Sequence, residues 1–92
     1  MEDLTSLCDR IRVLLDQRNG TPADDVEHTL TDGYARALAL EGERLRAQDR
    51  LHALAGSADH VAELSALKLR VAAIDEQLAE LRGLLGVLAA SL

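Results

Sequence analysis

Residues 64–92 read LSALKLRVAAIDEQLAELRGLLGVLAASL. Within them Leu64, Leu67, Val71, Ile74, Leu78, Leu81, Leu85, Leu88 and Leu92 recur at alternating steps of three and four without a miss. That is the a/d pattern of a helix wound against another helix in a coiled coil. Just before it, Gly56 reads as a helix stop, Ser57 as a cap and Asp59 as a first-turn acid suited to the positive helix end. These signals predict a helix over 58–90.

The partner of that seam lies upstream. Thr21 serves as N-cap, Pro22 takes the first helical position, and Asp24 and Asp25 complement the helix dipole, which predicts a helix over 22–55. Each long helix runs about 50 Å, and a connection of two or three residues forces them antiparallel. Paired outward from the turn, the seam meets Leu51, Ala47, Arg44, Leu40, Ala37, Gly33, Leu30 and Val26, which also step three and four. Large residues then face small ones: Leu67 on Ala47, Leu78 on Ala37, Leu81 on Gly33. Arg44 opposite Val71 is the one misfit, its stem on the seam and its head in water.

A third, shorter helix over 3–18 carries the stripe Leu4, Leu7, Ile11 and Leu14, with Cys8 and Leu15 beside it, and ends at Asn19-Gly20. It is too short to reach the hairpin turn. Leu84 and Val87 fall outside the seam near the end of the last helix, so the short helix is expected to cover them, with Tyr34 packed beneath it. The expected fold is all-α: one domain over 1–92, a short N-terminal helix packed on a long antiparallel two-helix hairpin, three helices in all.

Composition agrees. The chain has 92 residues with 19 Leu and 15 Ala, no Phe or Trp, and Tyr34 as its sole aromatic, which favours helix over sheet. Nine Arg to one Lys, with the Ala and Leu bias, suggests a GC-rich bacterial genome. The net charge of −6 argues against general nucleic-acid binding, which rests on neutralising phosphates. Residues 1–40 hold eight acids against four bases, whereas 41–70 balance five with five. Cys8 is alone, so neither an internal disulfide nor a thiolate metal cluster is expected, and a lone thiol fits a reducing cytoplasm. The acidic start lacks the basic region of a signal peptide. The charge-free stretch 83–92 is about half a membrane span, so no membrane is expected.

The chemistry-bearing residues are sparse. His52 and His60 straddle the hairpin turn with Asp49, Asp59 and Glu63 nearby, but without the close spacing of a metal motif, so no metal is assigned. His28 reads as a helix-surface residue and Cys8 as a structural thiol. There is no Gly-rich phosphate loop, nucleophile elbow or carboxylate pair in a cleft, so no catalytic residue and no cofactor are assigned. The run from Leu67 through Arg70, Ile74 and Asp75 to Leu78 resembles the first long helix of all-α chorismate mutases. That resemblance implies that Arg70 would bind a substrate carboxylate. Here, however, the helix stands last in the chain, and the family's downstream basic and glutamine residues have no counterpart.

Glu43 and Arg50 on one long helix, and Glu63 and Arg70 on the other, share a seven-residue spacing. This is similar to the paired Glu/Arg helices with which some antiparallel coiled-coil anti-sigma factors grip a cyclic dinucleotide, and it implies a ligand-responsive regulator. The serine, glutamine and aspartate of the fuller pattern are replaced by Ala47, Leu54 and Ala58 after Glu43, and by Leu67, Ile74 and Leu78 after Glu63. Charges seven apart also share a helix face simply because they flank a seam.

What remains are surplus leucines. Leu38 and Leu45 point about 100° away from the helix-two seam, on the same stripe as Tyr34; Leu69 lies outside the seam of helix three, and pairing from the turn puts Leu69 level with Leu45. These three form the expected partner or dimer interface. The expected function is a non-catalytic helical-hairpin interaction module, an adaptor, assembly or regulatory protein acting on itself as a homodimer or on a partner protein. The alternative is the nucleotide-sensing, anti-sigma-like coiled coil.

Overall fold

The computed structural model describes residues 2–17 and 22–92. Among them three α-helices form: α1 Leu4–Asp16, α2 Ala23–Leu54 and α3 Val61–Ala90, the last preceded by a single 3-10 turn over Ala58–His60. The arrangement is the expected one, a short helix on an antiparallel hairpin, and the molecule measures 57 × 23 × 16 Å. No helix among the described residues is long and apolar enough to cross a membrane.

Each terminus has a local cause. Asp3 caps α1 by accepting a 2.7 Å hydrogen bond from the Ser6 backbone N–H, which holds its carboxyl below the usual range. Pro22 takes the cap position of α2 rather than the first turn, and its carbonyl accepts from the N–H groups of Asp25 and Val26. The expected Thr21 cap and the Asn19-Gly20 stop lie outside the described residues. Gly56 closes α2 with a φ of 83°, a left-handed conformation natural to glycine. Ser57 makes no side-chain cap bond; the 3-10 turn intervenes, so α3 begins three residues later than the spacing predicts.

The core runs along the seam. Val26, Leu30, Gly33, Ala37, Leu40, Ala47 and Leu54 are buried on α2, and Ile74, Leu78, Leu81, Leu85 and Leu88 on α3. α1 adds Leu7, Cys8 and Ile11, so burial is deepest at the three-helix base. Toward the turn, Leu51, Leu64, Leu67 and Val71 are only half-buried, because two helices cannot cover each other. Leu92 lies beyond the end of α3 and is exposed, so the seam effectively closes at Leu88.

The register differs from the expected pairing by about one turn at the base. Leu85, not Leu81, sits over Gly33. Counting outward from the turn takes the helix to begin at 58; the intervening 3-10 turn lengthens the connection and shifts what comes opposite Gly33. Large still meets small, one step along.

Candidate interaction surface

With Leu64 as an a position, the heptads divide the hairpin into three kinds of surface. The a and d residues form the seam, c and g residues face one side, and b and e residues face the other. In an antiparallel pair each side is shared by both helices. The f residues point directly away.

α1 occupies the c/g side. Two arginines tie it there, one to each long helix: Arg10 donates to Asp32 on α2 at 2.6 Å and to Glu2 at 2.7 Å, and Arg12 donates to Glu80 on α3 at 2.5 Å. The Arg10 hydrogen bond holds Asp32 below the usual carboxylate range, and the Glu80 hydrogen bond raises the Arg12 guanidinium. Leu84, at a g position, packs half-buried against this base as expected. Val87 does not: it is exposed at the rim. Cys8 is buried, and that burial pushes its thiol up, consistent with a structural role.

Further toward the turn, the same c/g side carries the Glu/Arg set. Arg50 donates to Glu63 at 2.9 Å, and Arg70 lies 3.8 Å from Glu43, so each helix supplies one acid and one base to the other. The Arg50 bond holds Glu63 below its ordinary value, assisted by His60, whose Nδ1 is 3.4 Å away. The four residues thus satisfy one another across the hairpin as register-setting g–g pairs. Arg70, the position that would hold a carboxylate in the mutase resemblance, faces Glu43. Around the turn, no three of His, Cys, Asp and Glu come together as metal ligands would among the described residues.

The b/e side is open. Glu41, Arg44, Leu45 and Gln48 of α2 and Asp75, Leu78, Ala79 and Arg82 of α3 line a shallow groove along it. Arg44, the misfit of the seam, is half-buried as its long stem allows; it donates through Nε to Asp75 at 2.5 Å and through Nη1 to Gln48 at 2.9 Å. Asp75 raises the Arg44 guanidinium in turn. Arg82 pairs with Glu41.

Tyr34 stands on this open side, 53% exposed, not beneath α1. Position e is across the seam from the c/g side that α1 covers, a distinction that a 100° stripe drawn without handedness misses. Leu38 and Leu45 stand with it, 69% and 60% exposed. Leu69 is 72% exposed but occupies an f position, directly opposite the seam on the outer back of α3. Leu38, Leu45 and Tyr34 thus share one exposed stripe that α1 does not cover, and Leu69 is set apart from it. The small exposed residues Ala72, Ala79 and Gly86 of α3 are the members that the sequence pattern did not single out; assigning e and b to both strands of an antiparallel pair would have found them. Comparison with known protein families, curated proteins and solved structures finds no significant match to this chain.

Proposed function

We propose that this chain is a non-catalytic helical-hairpin interaction module, an adaptor, assembly or regulatory protein that works in the cytoplasm through protein–protein contacts and as a homodimer. The observation that carries the reading is the set of large apolar side chains left outside the core: Tyr34, Leu38, Leu45 and Leu69 are all more than half exposed on a slender two-helix body. Single exposed leucines are ordinary, but several on a chain of 92 residues leave apolar surface that association would cover. The lone buried thiol suits a reducing compartment, and the net charge of −6 disfavours nucleic acid as the partner.

The test is an affinity capture with the unmodified chain and with Leu45→Glu/Leu69→Glu, alongside light scattering. The reading expects an assembly, with itself or with a captured protein, that the double variant loses while keeping its helical circular dichroism. A monomer that captures nothing, or a double variant that keeps every partner, would refute it.

A further inference from the structure

The open b/e side carries both knobs and holes. Leu38 and Leu45, seven residues apart, stand out from α2; Ala72, Ala79 and Gly86, also seven apart, leave gaps along α3, and a Cβ added at Gly86 would meet nothing within 4 Å. The placement of Gly33 beside Leu85 sets which residues share a level. Leu38 lies level with Ala79 and Glu80, Leu45 with Ala72 and Ala73, and Thr31 with Gly86 and Val87.

We infer that this face binds a second copy of the chain about a two-fold axis parallel to the hairpin, forming a four-helix body braced on both outer sides by α1. This rests on the reading of the chain as an interaction module and names its partner and its face. Such an axis sets α2 of each copy against α3 of the other, antiparallel and at the same level. Leu38 then enters the gap at Ala79 of the second copy, Leu45 the gap at Ala72, and the Tyr34 ring lies between Arg82 and Gly86. An axis across the hairpin instead sets bulky on bulky along α2 and small on small along α3, which leaves voids.

Charge permits the match. Between residues 27 and 52 of α2 and the facing part of α3, the side carries Glu27, Glu41 and Asp75 against Arg44, Lys68 and Arg82, so it is neutral on a chain of net charge −6. Two such faces meet without repulsion. Area permits it as well: a long side of a body 57 × 23 × 16 Å exceeds the roughly 800 Å² per partner of a stable interface.

The experiment combines sedimentation with cysteine crosslinking on the full chain. The unmodified protein should sediment as a dimer at micromolar concentration. Leu45→Glu should weaken it by roughly thirty-fold or more, as expected for a central apolar anchor, whereas Leu69→Glu should leave it intact. In a Cys8→Ala background, Leu38→Cys with Ala79→Cys should oxidise to a covalent dimer, and neither single cysteine should. Efficient dimers from Leu38→Cys alone would overturn this geometry, since they report α2 against α2. A strictly monomeric chain that still captures another protein through Leu69 would overturn the self-pairing and leave the interaction module standing. A monomer that captures nothing ends both.

Discussion

At Gly33 an added Cβ would lie 3.2 Å from Leu85 Cγ and 3.3 Å from its Cδ1, and Leu85 is itself buried in the core. Close approach of the two axes, not turn geometry, is what requires glycine there. Gly83 lies inside α3 with nothing within 4 Å of the point a Cβ would occupy, so there glycine only loosens the helix. The two should respond oppositely. Gly33→Leu is expected to destabilise by about 1–3 kcal/mol through overpacking, and Gly83→Ala to stabilise by about 0.5–1 kcal/mol; chemical denaturation of each variant checks both signs. Both glycines lie inside helical runs, but the seam separates them: Gly33 falls on it and Gly83 on the opposite face. Gly33 was legible as a seam position, but which leucine covers it was not, because that depends on the length of a turn whose 3-10 geometry no single residue announces.

α1 is the element on which the base depends. Its Ile11 is fully buried between the long helices, among the residues that close the core with Leu81, Leu85 and Leu88. Ile11→Ala should therefore cost about 2–5 kcal/mol, far more than a residue in so short a helix would by propensity, and thermal unfolding measures it. The polar ties of α1 are exposed and individually weak, but their protonation has a predictable sign. Asp3 and Asp32 have folded-state pKa values below their ordinary ones, as does Glu63 on the hairpin. Their contribution is thus complete above the ordinary carboxylate value, near about 4, and is lost as pH falls through the lower folded values. The melting temperature should stay level from about pH 7 to 5 and drop below about pH 4, and Asp32→Asn should make that drop shallower. A stripe of Leu4, Leu7, Ile11 and Leu14 made this helix readable in advance. The side of the hairpin it chooses was not readable: Arg10 and Arg12 find Asp32 and Glu80 only once three helices are assembled.

For the whole molecule, burial along the α3 seam falls from base to tip, with Ile74, Leu78, Leu81, Leu85 and Leu88 buried and Leu64, Leu67 and Val71 half-covered, although Leu54 at the end of α2 is buried. Amide hydrogen exchange should follow that gradient in the unassociated chain, slowest in α3 near Leu81 and Leu85 and faster toward Leu51 and Leu64. Uniform protection along the hairpin would show that the tip is covered by something else. By itself the sequence determined that the chain is helical, where its long helices lie to within a few residues, and that they form an antiparallel hairpin. The reason is that caps, helix stops and a three-four apolar period are local signals, each encoded within a turn or two of chain. Leu38, Leu45 and Leu69 were equally legible as surplus, and the parting of Leu69 from Leu45, f against b, was already in the heptads. Only the tertiary structure decided that Leu85 covers Gly33 and that α1 takes the side of the hairpin away from Tyr34. Those outcomes depend on handedness and register between helices, and a one-residue or one-turn shift leaves every local signal unchanged while moving each side chain to a different neighbour.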